Sequence, residues 1–352
     1  MDHLYNSNFG NSGAPDWLNT LGSELEQLMD GAGKCAFIGF PDQRNPGDSA
    51  LWVGGLRLLD SIGVKVVYTC CHRSYSRNDL VGRLPEGPIV INGGGNLGDM
   101  YMDEENLRRA VLRDFPSRRI VQLPQTVYFR SLNEAMRIAP LYAGHRGLRL
   151  MVRENESRKW LKRRWSLPSV LAPDAALTLN GIKKSCSPDT DVFCLLRADA
   201  EGRSELRKDA ALAGFDAEDW IGRDSRIGMF ESKTAGLEQQ YDRLVDNLCH
   251  ERGLRRKWAL SRASVLRSRL AEQRLKRGCR ILSRGCVVIT DRLHGHILSF
   301  CMGIPNVLID NNYGKNRAVY ESWTAGCPGV AWADSFQEAA DLTKTMTRVS
   351  PE

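Results

Sequence analysis

A chain of 352 residues, 42% hydrophobic and 26% charged, can bury a sizeable core and is long enough for two domains of common size. No run approaches the roughly 20 apolar residues of a membrane span, so a protein embedded in a bilayer through helices is not expected. The net charge of +7 is uneven: residues 251–285 carry twelve Lys/Arg against two Glu, leaving −3 for the remainder, which points to an anionic partner for that segment.

The N-terminal MDHLYNSNFGNSG has neither the basic nor the apolar region of a secretory signal. The ten cysteines form no CxxC pair and no His/Cys ligand spacing. Cys35, Cys70, Cys194, Cys286 and Cys301 sit in apolar patterns, so a cytoplasmic location without a structural metal is expected. Residues 15–31 read as an amphipathic helix ending at Gly31. A strand at 35–40, the loop 41–48, and a helix burying Leu51, Leu58, Leu59 and Ile62 follow. Further strands are expected at 64–71, at 88–95 and at 120–129, the last running into a loop at Pro124. Residues 148–157 and 169–177 complete a regular series, and strands alternating with helices imply a parallel sheet covered on both faces.

The polar stretch 181–190 reads as a linker. It predicts an N-terminal Rossmann-like domain over 1–182 and a C-terminal one over 187–352, an α/β fold of two Rossmann-like domains facing across a cleft. The second series starts with a strand at 191–199 and passes through helices around 235–250 and 258–284. It closes with the strand Cys286-Val287-Val288-Ile289-Thr290, a helix, the strand 306–312 and a helix near 334–347.

The joint after Thr290 is the most informative. Asp291 reads as a helix N-cap, placing Arg292 and His294 in the first turn, just past the carboxyl end of a buried strand. Open α/β sheets bind ligands there, and free backbone N–H groups and the helix dipole attract anions. A lone histidine is more often packed under a loop, but an arginine two residues before it suits a small phosphorylated or carboxylated substrate. Other strand ends carry small or polar residues: 45–48, Gly93-Gly94-Gly95-Asn96, 124–126, 153–157, Asp174, 197–199 and 311–316. In parallel sheets these ends share one edge. GxGxxG and GxxxxGK[ST] are both absent, so dinucleotide and ATP fingerprints are missing.

NPGDSA (45–50), INGGGNLGD (91–99), LPQT (123–126), VRENES (152–157), PDAAL (173–177), LLRAD (195–199), TDRLHGHI (290–297) and Lys315-Asn316 together resemble the polysaccharide pyruvyl transferase family, over roughly residues 35–325. The resemblance implies a fold like that of two-domain GT-B glycosyltransferases. It also implies transfer of the enolpyruvyl group of phosphoenolpyruvate to two hydroxyls of a sugar, giving a cyclic pyruvate ketal and phosphate. The donor's phosphate and carboxylate call for several fixed cations, for which Arg153, Arg197, Arg292 and Lys315 are the candidates, with Leu293 and Asn316 beside them. His294 is the candidate for a proton transfer, as acid or as base. Asp48 and Asp99 are the carboxylates available for the acceptor hydroxyl, and each also suits a helix cap. Asn45, Gly47, Gly94, Gly95 and Asn96 are the substrate contacts expected from the first half. No metal or nucleotide cofactor is expected. The expected partners are phosphoenolpyruvate and a saccharide acceptor of an exopolysaccharide or cell-surface glycan, in free or lipid-linked form.

Ala259, Ala263, Leu266, Leu270, Ala271, Leu275, Cys279 and Leu282 mark an apolar helical stripe, with Arg262, Arg267, Arg269, Arg274, Lys276, Arg277 and Arg280 over most of the remaining surface. Such a helix most often just shows a solvated face. Its functional reading is a loose contact with the anionic inner leaflet of the cell membrane, or with the diphosphate of a lipid-linked acceptor. Two alternatives stay open: a glycosyltransferase of the same architecture using a nucleotide sugar, and a non-catalytic sugar- or nucleic-acid-binding protein. Nucleic acid is not expected, because only Trp258 offers a ring among the charges of 251–285.

Overall fold

The computed structural model describes residues 16–199, 201–220, 228–248, 250–312 and 314–346. Among these, the first half runs α1 (Asp16–Met29), β1 (Lys34–Ile38), α2 (Pro46–Ser61), β2 (Lys65–Cys70), α3 (Arg77–Arg83), β3 (Ile89–Ile91), β4 (Gly94–Gly98), α4 (Met102–Asp114), β5 (Ile120–Tyr128), α5 (Leu132–Ala143), β6 (Leu148–Val152), α6 (Asn155–Trp165) and β7 (Val170–Leu171). Its strands lie in the order β2-β1-β3-β5-β6-β7, with β4 also on β5, and every pairing is parallel. Strands such as KCAFI and IVI are apolar almost throughout because helices cover both faces. Successive residues therefore feed different cores: Cys35 and Phe37 enter one apolar cluster, Ala36 and Ile38 another.

The second half runs β8 (Thr190–Leu195), α7 (Ser204–Leu212), β9 (Ala217–Glu218), α8 (Gly228–Asn247), α9 (Gly253–Leu282), β10 (Gly285–Thr290), α10 (Leu293–Cys301), β11 (Asn306–Ile309), α11 (Lys315–Trp323), β12 (Val330–Ala333) and α12 (Phe336–Met346). Its parallel sheet has the order β12-β11-β10-β8-β9. In each sheet the strand order reverses once, at β1/β3 and at β8/β10. Ligands of open α/β sheets bind at such reversals.

Two expected boundaries move. β5 does not stop at Pro124 but runs through it. Proline lacks a backbone donor, and it falls where the neighbour of β5 changes from β3, paired up to Gln122, to β4, paired from Gln125. The glycine run likewise does not extend β3; the chain steps sideways after Ile91 and pairs again as β4. The expected stripe of α9 is buried as read, but Arg267 and Arg274, expected on its surface, are 0% and 2% exposed. Arg267 donates to the Thr69 carbonyl and the Ser74 hydroxyl, both at 2.8 Å, and Arg274 pairs with Glu238 at 2.7 Å. Although α8 and α9 follow residue 187, they lean on the first sheet. One apolar cluster runs from Phe37 and Trp52 through Leu266 and Leu270 to Phe193 and Val288. No helix among the described residues is long and apolar enough to cross a membrane.

Candidate active site

The loops after β1, β3, β8, β10 and β11 line one cavity of about 380 Å³. Of the site residues expected from the sequence, all line it except Asp99 and Gly47, and Gly47 lies beneath. α2 explains why. Asn45 caps it, accepting from the Gly47 amide at 2.9 Å, and Pro46 opens its first turn. A Cβ on Gly47 would come within 2.7 Å of both Cβ and Nδ1 of His294, so only glycine lets the imidazole settle against this turn. The C-terminal part of α9 holds the same turn, because a Cβ at Gly278 would meet Pro46 at 2.6 Å. Asp48 follows on the cavity wall. Burial raises its carboxyl above the usual range, against the pull of His294, Arg197 and Arg292.

His294 Nε2 lies 3.6 Å from Oδ2 of Asp174, beyond a hydrogen bond but within ion-pair reach once the imidazole is protonated. Asp174 is fully buried. It accepts from the Ala176 amide at 2.9 Å and from Arg153 Nη1 at 2.6 Å. Burial alone would push its carboxyl up, but His294, Arg153 and the Ala176 amide outweigh burial and hold it well below the ordinary carboxylate range. The result is a fixed anion behind the imidazole. Asp174 had stood out in the sequence only as a polar strand end, since an aspartate opening a turn looks the same whether it caps or orients, and here it does both.

Arg153 also donates Nε to the Thr126 hydroxyl at 2.8 Å, and its Nη2 would meet a Cβ on Gly95 at 3.0 Å. Gly94, at φ +127°, adopts a backbone conformation that favours glycine and would also strike Leu51. Asn96 turns its side-chain oxygen to Arg108 at 2.8 Å and to Gln125 at 2.9 Å, part of a buried polar network below the glycine loop. Asp99 lies off the cavity and is not the N-cap that was its alternative: it accepts from the Arg130 and Ser131 amides at 2.7 and 2.8 Å, while Tyr101 and Ser131 hold the N-cap positions of α4 and α5.

On the opposite side, Arg292 is 2% exposed and forks onto Asp219, with both contacts at 2.7 Å. Arg197 forks onto Asp199 at 2.8 and 2.9 Å and reaches Glu201 at 3.1 Å. Sequence reasoning missed Asp219 and Glu201 because they lie in 200–285, which carries no motif. Asp291 is not the cap of α10. It accepts from the Arg197 amide at 2.9 Å, while Arg292 occupies the N-cap position and its amide is taken by the Thr290 hydroxyl at 3.0 Å. Burial pushes the Asp291 carboxyl up to about 6. Lys315 opens α11 with its ammonium 4.8 Å from the Tyr128 ring centre, and burial lowers its pKa. Leu293 joins the apolar cluster at the cavity floor. Asn316 donates its amide to the carbonyls of Asp291 at 2.7 Å and Ile309 at 3.0 Å, tying β10 to β11. Tyr313, part of the expected 311–316 stretch, lies outside the described residues. No group of three or more His, Cys, Asp or Glu among the described residues is placed to hold a metal ion.

A carboxylate-backed imidazole and several arginines thus share one cavity at the reversal points of two parallel sheets, where α/β enzymes bind their ligands. The family model for polysaccharide pyruvyl transferase matches residues 45–313, and the chain belongs to that family. It is 31% identical over 347 residues to "Pyruvyl transferase 1" of Schizosaccharomyces pombe, covering 92% of this chain and 79% of that one. It is 27% identical over 333 residues to "Putative pyruvyl transferase EpsO" of Bacillus subtilis, covering 93% and 98%. The crystal structure of a functionally uncharacterized protein from Klebsiella pneumoniae superposes with a TM-score of 0.59 over 92% of this chain and all of the other. At 16% identity that likeness speaks for the fold alone. The protein is therefore an enzyme, a polysaccharide pyruvyl transferase.

Proposed function

We propose that the enzyme takes its pyruvyl group from phosphoenolpyruvate and sets it as a cyclic ketal on two hydroxyls of a sugar in an exopolysaccharide or cell-surface glycan precursor, releasing phosphate. The two sheet-bearing halves act as two Rossmann-like domains across the cavity, with the acceptor held mainly by the first and the donor by the second. Neither a metal nor a nucleotide takes part.

The observation that carries this reading is the convergence of Arg153, Arg197, Arg292 and His294 on one cavity, with a buried carboxylate behind the imidazole. Protonation of the donor's methylene carbon makes C2 electrophilic. One acceptor hydroxyl then adds to C2 and loses its proton, the C2–O bond to phosphate breaks, and the second hydroxyl closes the ring as its proton passes to the departing phosphate. His294, as imidazolium stabilised by Asp174, supplies the proton to the methylene carbon, and Asp48 takes the proton of an attacking hydroxyl. The arginines bind the phosphate and carboxylate and stabilise the leaving dianion. The test is phosphate release from phosphoenolpyruvate with a panel of free and lipid-linked saccharides, with the product checked for a ketal. Phosphate and ketal should appear in equal amounts. Consumption of a nucleotide sugar without phosphate release from phosphoenolpyruvate would overturn the assignment.

A further inference from the structure

We propose that the N-terminal part of α9 is a docking surface for an anionic membrane. The helix buries Ala259, Ala263, Leu266 and Leu270 on one side, yet the opposite side is not simply polar. Leu254, Trp258 and Val265 are 83%, 63% and 52% exposed. At about 100° per residue, 3.6 to the turn, the three fall within roughly 40° of one another, a single row along the helix. Arg255, Arg262 and Arg269 run down one flank of the row and Lys257 stands on the other, all exposed. The Arg262 guanidinium lies 5.5 Å from the Trp258 ring centre. Trp258, Arg262, Val265 and Arg269 share a shallow groove with Gln240 on α8.

Single exposed apolar side chains need no explanation, but a row of three flanked by cations does. From residue 252 to 271 the helix has no Asp or Glu, so nothing on this segment offsets the charge. Trp, Leu and Val with arginines whose aliphatic stems lie along the apolar row are the composition of a helix resting in the headgroup region. Charge complementarity selects an anionic lipid surface. Single-stranded nucleic acid would require several stacking rings, and Trp258 is the one aromatic ring among the exposed side chains of this face. The structure also narrows which basic residues take part: Arg267 and Arg274 point inward, and the contact falls to Arg255, Lys257, Arg262 and Arg269.

Docking and turnover are separable, since vesicle binding requires no reaction; a failure here leaves the proposed chemistry untouched. The experiment is sedimentation of the full chain with vesicles of phosphatidylcholine alone or mixed equally with phosphatidylglycerol. It is run at 0.1 M and 1 M salt, between which the screening length falls from about 10 to about 3 Å. Binding should appear with the anionic vesicles, weaken at least tenfold at high salt, and fall at least tenfold in Arg262→Glu/Arg269→Glu. Trp258→Ser/Val265→Ser should likewise weaken binding to the anionic vesicles, and in the wild type the tryptophan emission should shift to the blue on vesicle addition. All four positions face solvent, and circular dichroism confirms that the helix persists. Equal binding to neutral vesicles, no binding to either, or binding unchanged in both variants would overturn the proposal. So would a dimer in solution that Trp258→Ser/Val265→Ser dissolves, since a second copy would then own the face.

Discussion

The two walls of the cavity hold their arginines differently. On the wall from the first sheet, Arg153 is 4% exposed at its side chain and locked to the fully buried Asp174, with Thr126 on its other edge. On the wall from the second sheet, Arg197 pairs with Asp199, whose side chain is 37% exposed, and with Glu201 at the cavity edge. Arg292 pairs with both Asp219 and Asp199. On the proposed chemistry the anionic donor meets two preset cations, Arg153 and Arg292, each paired with a buried carboxylate, and one, Arg197, whose partner Asp199 is open enough to solvent to be displaced. A fixed cation costs nothing to organise at the moment of reaction, while an exchangeable one allows the second wall to adjust around donor and product. His294 spans the difference, since it is carried by the second sheet but seated against Gly47 and Asp174 of the first half.

The largest effect expected is at that bridge. His294→Ala should lower turnover by about two to four orders of magnitude, the usual range for losing a proton-transfer group. Steady-state phosphate release on a folded variant checks it, and wild-type turnover would remove His294 from the mechanism. Asp174→Asn should come next, at about a hundredfold in turnover, the low end of that range. The carboxamide keeps the shape but not the anion behind the imidazole. Because Arg153 keeps its charge, the KM for phosphoenolpyruvate should not rise. A raised KM with turnover intact would make Asp174 a binding prop instead of a positioning residue.

The walls themselves are compared by removing one arginine from each. Arg153→Ala strands a buried carboxylate, so it should cost about 3–5 kcal/mol of stability as well as donor binding. Arg197→Ala breaks a pair that is partly open to solvent, so it should weaken donor binding at a stability cost of about 1 kcal/mol or less. Denaturant unfolding beside KM measurements separates the two, and equal stability losses would erase the distinction between preset and exchangeable cations.

Much of this was legible in the chain before folding. Strands covered on both faces must be apolar throughout, so their ends stand out as the first polar residues, and parallel pairing gathers those ends into one place. That is why Arg153, Arg197 and His294, far apart in sequence, could be grouped. What the chain conceals is pairing at long range. A count of charges along α9 cannot tell Arg274, which finds Glu238 on another helix, from Arg269, which faces solvent. Asp219 was hidden in the same way, since nothing local marks a carboxylate that will meet Arg292 from 73 residues away. Pro124 misled for the opposite reason: its local signal was clear, but a sheet can seat a proline wherever the neighbouring strand changes.

The smallest effect concerns the footing of the second wall. His296, two residues beyond His294, is buried, with Nδ1 2.5 Å from Asn306 Oδ1 and Nε2 2.8 Å from the Thr324 hydroxyl. The Asn306 amide nitrogen already donates to the Ile304 carbonyl, so its oxygen faces the ring, Nδ1 carries the hydrogen, and the neutral imidazole clamps α10 to β11 and α11. Burial lowers its pKa from 6.5 to about 4. A base depressed in the folded state takes up its proton first in the unfolded chain. Its stabilising contribution is therefore complete above pH 6.5 and is lost as pH falls from 6.5 toward 4. Asp291 works against this, because a carboxyl raised to about 6 holds its proton better when folded and gains stability over part of the same window. The measurement must be a difference: unfolding free energy of the wild type minus that of His296→Gln, at pH 7.5 and at pH 5. Asp291 cancels in the subtraction, and the difference should shrink by about 2 kcal/mol at the lower pH, at 1.36 kcal/mol per unit. A difference that stays constant would mean that folded His296 takes up its proton as readily as the unfolded chain does, so that at pH 5 the second wall rests on an ion and not on a neutral clamp.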